Sequence, residues 1–148
     1  MITGIFIKEV IKHSDKSGFF AELVKFGDKT FHEVLQTSYS EIKPGVIKAW
    51  HIHDYWEVWC IIKGHAKIVL YDLRPDSLTF KKTQIIYTGE DDTKAIAIPG
   101  NVAHGYKTIG KKNMGVIYHS SQIYNPKIKT IREIPFDDLE IGFDWTKP

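Results

Sequence analysis

Short apolar or alternating runs recur along the chain between turn-forming residues, and almost no stretch keeps the 3.6-residue repeat of an amphipathic helix for three turns. The pattern predicts strands over 5–11, 19–26, 32–39, 46–51, 57–62, 66–72, 82–88, 95–98, 104–108 and 114–120. Between them lie turn signals such as Lys43-Pro44-Gly45, Lys63-Gly64, Arg74-Pro75-Asp76, Pro99-Gly100-Asn101 and Gly110-Lys111-Lys112. Many short strands joined by short loops predict an all-β sandwich or barrel, and a jelly roll suits a chain of 148 residues. Residues 1–148 read as one domain, with 1–30 offering N-terminal strands for a dimer contact. The tail over 131–148, IREIPFDDLEIGFDWTKP, mixes acids with Phe136, Phe143 and Trp145, which suits a short helical turn and an extended segment packed on the barrel.

Composition narrows the partners. A length of 148 residues suffices for one hydrophobic core and not two. The net charge is only +2, and the lysines are scattered or paired in turn-like places, so neither nucleic acid nor a membrane surface is expected. An anionic small molecule needs just one or two well-placed cations and is left open. The one cysteine, Cys60, falls inside an apolar run and reads as a small buried hydrophobe. The start MITGIFIKEVIKHSD has neither a long apolar core nor a small-residue cleavage site, and no run approaches the ~20 residues of a membrane span. A cytoplasmic protein is expected.

Candidate chemistry concentrates between Gly45 and Gly64, in GVIKAWHIHDYWEVWCIIKG. Residues two apart on a strand share a face, so His51 and His53 can point together into a barrel, and Glu57 keeps the same parity. A Pro-Gly turn at Ile98-Pro99-Gly100-Asn101 then delivers His104 onto another strand. Three imidazoles and one carboxylate, His51, His53, Glu57 and His104, form a set that first-row divalent ions accept with positions left open. The same histidines could equally move protons without an ion. The spacing Gly, five residues, His-x-His, three residues, Glu, six residues, Gly resembles the first cupin motif in every fixed position. The stretch up to His104 resembles the second, with Asn101 at its second glycine. That resemblance implies a cupin jelly-roll, the double-stranded β-helix barrel. His13, His32, His65 and His119 have no such spacing and read as structural.

A second, more particular resemblance runs over most of the chain. Its pieces are Gly18-Phe19-Phe20-Ala21-Glu22, Gln36-x-Ser38-x-Ser40, Gly45 to His51, Asp72-Leu73-Arg74-Pro75-Asp76-Ser77-Leu78-Thr79-Phe80, IPGNVAHGY from Ile98, and YHSSQIYNP from Tyr118. Together they resemble the dTDP-4-dehydrorhamnose 3,5-epimerase family. The resemblance implies a homodimer that binds a nucleoside-diphosphate 4-keto sugar and inverts carbon 3, carbon 5 or both, in the assembly of a surface polysaccharide. It implies His51 as the base and Tyr118 as the acid, with Phe19, Glu22, Gln36, Lys48, His104 and Tyr124 lining the nucleotide-sugar groove. No organic cofactor is implied; one divalent ion is the candidate inorganic one. The chain departs from the family in three places, one of them a shorter loop after His51. Glu57 stands where the family has a lysine near the ketone, and no acidic partner for the base histidine follows Trp145. If His51 is a metal ligand it cannot also be a free base, so the two roles compete at that residue. The readings from other classes are a metal-dependent cupin, such as a sugar isomerase or oxygenase, and a noncatalytic sugar-binding cupin.

Overall fold

In the computed structural model, which describes residues 1–129 and 131–147, the chain forms twelve strands and, among the described residues, no helix. The strands are β1 (Phe6–Glu9), β2 (Lys12–Asp15), β3 (Gly18–Ala21), β4 (Gln36–Ile42), β5 (Ile47–Ile52), β6 (Glu57–Lys63), β7 (His65–Asp72), β8 (Thr83–Gly89), β9 (Lys94–Ile98), β10 (Val102–Ile109), β11 (Met114–Ser120) and β12 (Arg132–Glu133). Two five-stranded antiparallel sheets, ordered β1-β9-β6-β11-β4 and β12-β5-β10-β7-β8, face each other as a jelly roll, and β2 and β3 form a separate hairpin.

Alternation decides which side chains lie between the sheets. On β6, Trp59 and Ile61 point inward, while Val58 and Cys60 point outward against Leu23, Val24 and Trp56 of the N-terminal half. Desolvation at that outer face pushes the Cys60 thiol up to about 12, so it behaves as the small buried hydrophobe the sequence predicts. On β10, Val102 and Tyr106 join the inner core, and Ala103 joins an outer cluster with Trp50, Ile52, Val69 and Tyr71.

That outer cluster is roofed by the C-terminal segment. Trp145 is 3% exposed, lies 5.2 Å from Trp50 between ring centroids, and donates its indole N–H to the Phe136 carbonyl. Two lysines hold the segment from below: Lys107 donates to the Trp145 carbonyl at 2.9 Å, and Lys67, itself 1% exposed, to the Lys147 carbonyl at 2.6 Å. The buried Lys67 ammonium thereby meets a carbonyl dipole instead of hydrocarbon.

Four expectations need correction. The strand expected over 19–26 ends at Ala21, because Glu22 onward turns outward to reach Lys8 and Lys25. The run over 32–39 becomes a strand only at Gln36, its first part being held by a His32–Trp56 ring stack 3.5 Å apart. The run over 5–11 stops at Glu9, and Lys12–Asp15, a polar stretch with no strand signature, pairs with β3. In the tail, the helical turn is absent among the described residues; turns capped by Asp138 and the two-residue β12 replace it, and Pro148 lies outside the described residues.

Candidate active site

The strand β5 carries Trp50 and Ile52 on its outer face, under the C-terminal segment, so His51 and the following His53 face the interior. Against β10, the register passes from His104↔His51 to Tyr106↔Lys48, three residues on β5 against two on β10. This β-bulge lets Lys48 and His51, three apart, line one cavity. Close approach of β5 and β10 requires Gly105: a Cβ there would stand 2.3 Å from the Ala49 Cβ.

The cavity measures about 320 Å³, and both sheets build it. From β5 and the loop after it come Lys48, His51, His53 and Tyr55; from β6, Glu57 and Trp59; from β11, Tyr118 and Ser120; from β4, Gln36, Ser38 and Ser40. Tyr124 closes the rim, its backbone N–H donating to Gln36 Oε1 at 2.9 Å. Lys48 is the cavity's one ammonium and makes no ion pair among the described residues.

The turn before β10 fixes the two deepest histidines. Asn101 adopts φ +62°, a left-handed conformation that asparagine tolerates, and this accounts for its presence at a glycine position of the motif. Its N–H donates to the His53 carbonyl at 2.7 Å. At Gly100 a Cβ would meet the Asp54 backbone at 2.7 Å, so the turn seats directly on the loop that follows His53.

The four proposed metal ligands separate into a group of three and one apart. His53 Nε2 lies 3.1 Å from His104 Nε2 and 3.4 Å from Glu57 Oε2, and the three ligand atoms all fall within 4.8 Å of one another. All three residues are buried. The Nδ1 of His104 faces the Val102 carbonyl at 2.9 Å, which fixes Nδ1 as its protonated nitrogen and leaves a lone pair on Nε2. Burial lowers the basicity of both rings, that of His104 far below the ordinary 6.5 and that of His53 less, Glu57 opposing the effect there. Both carboxylate oxygens of Glu57 are held: the Trp59 indole N–H donates to Oε2 at 2.7 Å and the Ser120 hydroxyl to Oε1 at 3.0 Å. Parity, i to i+2 on β6 and on β11, was the available signal for Trp59 and Ser120, which sequence reasoning passed over.

His51 stands outside that group. Its ring is 6.4 Å from that of His104 between centroids, its side chain is 38% exposed, and its nearest acid is Glu133, with 3.9 Å between Nε2 and Oε1. Glu133 faces His51 because β12 pairs with β5 in the register Glu133↔His51. This acid beside His51 sits on a two-residue strand too short to be read from periodicity. The buried cluster of His53, Glu57 and His104 forms without His51.

Tyr118 enters from β11, its hydroxyl 3.2 Å from that of Tyr106. Desolvation raises its pKa, with hydrogen bonds from Tyr106 and Ser40 opposing, so it carries its proton at neutral pH. Its ring and that of His104 both stand edge-on to Trp59. Phe19 and Glu22 are not at this cavity. Phe19 sits 61% exposed on the β2–β3 hairpin, and Glu22 lines a separate charged recess with Lys8, Lys25 and Asp28.

A family profile described as dTDP-4-dehydrorhamnose 3,5-epimerase matches residues 1–148. The chain belongs to the dTDP-4-dehydrorhamnose 3,5-epimerase family. Membership in this enzyme family agrees with the resemblance read from the motifs and with an epimerase-type isomerase. Within the family's reach, the spore coat polysaccharide biosynthesis protein SpsL of Bacillus subtilis is 44% identical over 146 residues, covering 98% of this chain and 97% of its own. The probable low-salt glycan biosynthesis epimerase Agl13 of Haloferax volcanii is 29% identical, covering 97% and 94%. Among solved structures, a dTDP sugar isomerase from Desulfovibrio desulfuricans G20 superposes with a TM-score of 0.91 at 21% identity, covering 99% of this chain and 94% of that one. The epimerase RmlC of Legionella pneumophila, in complex with dTDP-4-keto-L-rhamnose, gives 0.86 at 21%, covering 97% and 79%. These likenesses establish the epimerase-family jelly roll as the fold of the chain. No described helix is long and apolar enough to cross a membrane.

Proposed function

We propose that the chain epimerises a nucleoside-diphosphate 4-keto-6-deoxy sugar next to its ketone, in polysaccharide biosynthesis, with His51 as base and Tyr118 as acid. One observation carries this reading: a histidine with an open, half-exposed ring and a proton-holding phenol, from opposite sheets, line one cavity. Hydrogens beside a ketone are acidic because the carbanion left behind delocalises onto the oxygen. One group removes a proton and a second, on the opposite face of the sugar, returns one, and the centre is inverted. A wall lined by Gln36, Ser38, Ser40 and Tyr124 suits sugar hydroxyls and a nucleoside, and Lys48 suits the diphosphate. The proton transfers call on no organic cofactor, and one divalent ion at the buried His53, Glu57 and His104 is the inorganic component of this reading. The similarity to SpsL and Agl13 supports the polysaccharide context, and the single buried cysteine suits the cytoplasm.

The site is completed by a second copy of the chain. Phe19 and Phe20 lie exposed at 61% and 65% on a two-stranded hairpin outside both sheets, the unpartnered arrangement that a dimer covers. In this reading the hairpin's Phe19 and the adjoining Glu22 serve the partner's groove instead of their own.

The test is incubation with dTDP-4-keto-6-deoxyglucose in heavy water, read by mass spectrometry and proton NMR. Deuterium at carbon 3 or carbon 5 with inversion is the expected result. Enzyme at high concentration that incorporates none over hours, yet binds the nucleotide sugar, overturns the reading in favour of a sugar-binding protein.

A further inference from the structure

We infer that the Tyr106 hydroxyl is a positioning group for the acid: it donates to the Tyr118 oxygen, turns the Tyr118 proton toward the sugar and holds the phenolate left when that proton is given up. Its part in the reaction rests on the epimerase reading above; the pairing of the two hydroxyls does not.

Tyr106 reaches this place from the sheet opposite the acid. On β10 it shares the inner face with His104, while Tyr118 comes from β11, so the 3.2 Å contact between the two hydroxyls spans the sandwich. Both rings are braced by Trp59, which each meets edge-on, Tyr106 at 5.7 Å and Tyr118 at 5.5 Å between centroids. Trp59 is itself tied by its indole N–H to Glu57.

Burial sets the direction of the bond. Tyr106 is 3% exposed in the inner core, and among the described residues Tyr118 is the one hydrogen-bond partner of its hydroxyl. A buried O–H left without an acceptor is costly, so the Tyr106 proton goes to the Tyr118 oxygen. A phenylalanine would fill the same volume with no polar group to satisfy. The Ser40 hydroxyl, from β4, adds a second hydrogen bond to the Tyr118 oxygen, and both bonds oppose the rise in pKa that desolvation causes there. With two bonds accepted, the proton of Tyr118 itself is left to point into the cavity.

The pair matters most when charge appears. As Tyr118 gives its proton to the enolate carbon, the enolate's electron pair forms the new C–H bond and the ketone re-forms. The electron pair of the broken O–H bond stays on the phenol oxygen, which regains a proton from solvent before the next turnover. A hydrogen bond to a phenolate is stronger than one to a phenol, so Tyr106 favours the step that ends in the Tyr118 phenolate and leaves proton removal by His51 untouched.

The test compares Tyr106→Phe, Tyr118→Phe and the double variant with the unsubstituted chain on dTDP-4-keto-6-deoxyglucose in heavy water. The same proteins, carrying carbon-13 at the tyrosine ring carbon that bears the hydroxyl, are read by NMR. Tyr106→Phe should lower kcat for inversion by about 10–100-fold, with KM and deuterium exchange at the abstracted carbon unchanged. It should add no further loss to Tyr118→Phe, because it acts through that residue. The Tyr118 resonance should shift in Tyr106→Phe, and the Tyr106 resonance in Tyr118→Phe. Circular dichroism reads the fold of each variant. Exchange and inversion falling together, a raised KM, additive losses in the double variant or full activity in Tyr106→Phe each overturn the positioning role and leave Tyr106 a core residue. Resonances that stay in place overturn the pairing itself. An unsubstituted chain that neither exchanges nor inverts removes the epimerase reading, and the catalytic role with it, while the resonances still decide the pairing.

Discussion

Two histidines separated by a single residue occupy different chemical worlds here. His53 is 5% exposed and bonded into a cluster with His104 and Glu57, whereas His51 keeps an open ring beside a carboxylate. The division predicts distinct phenotypes. His51→Asn should lower deuterium exchange by about 10²–10⁴-fold, the span of general-base catalysis, without loss of fold. Tyr118→Phe should leave exchange at the abstracted carbon in place while inversion falls, raising the ratio of exchange to inversion about tenfold or more; NMR of the recovered sugar reads both at once. Glu133→Gln, if the acid orients and supports His51, should reduce kcat with little change in KM. Much of this was legible in the spacing of His51, His53, Glu57 and His104, because period-two alternation carries side-chain direction. Glu133 was not, since its approach depends on a register across β5 that no local pattern encodes.

At the scale of elements, the site depends on how closely β5 and β10 run together. Gly105→Ala would bring a methyl within 2.3 Å of the Ala49 Cβ and 2.7 Å of the Lys48 carbonyl. The strands must part, moving Lys48 and His51 with them. A loss of about 1–3 kcal/mol in denaturant unfolding is expected, with activity falling further than stability explains. The strands that bury a hydrophobic face, β5 through β11, were all anticipated within a few residues of their bounds. Those that do not, β2, β3 and β12, were misplaced or missed, because a polar edge or hairpin strand is fixed by its partner and not by its own composition. The β5 bulge was equally invisible, although it is what turns Lys48 inward.

For the whole molecule, oligomeric state and acid stability are the measurable properties. Light scattering should give a mass twice the 17.0 kDa of the chain, and Phe19→Glu should shift it toward monomer while weakening nucleotide-sugar binding. At the sandwich's other end, Asp72 is fully buried. Burial alone would raise its pKa, but hydrogen bonds from Arg74, Ser77 and Thr79 outweigh that and hold it well below the ordinary 3.8. A depressed folded-state pKa contributes stability above about 3.8 that is lost as pH falls below it toward the folded value. Asp72→Asn should therefore cost about 3–5 kcal/mol at neutral pH and flatten the acid limb of the stability curve. Trp59 gives the molecule one further property. Its indole donates to Glu57 and stands edge-on to His104, Tyr106 and Tyr118, so it is a fluorophore built into the deepest wall of the cavity. A paramagnetic ion or a sugar arriving there should quench or shift its emission, and occupancy of the cavity can be followed in real time without any attached dye.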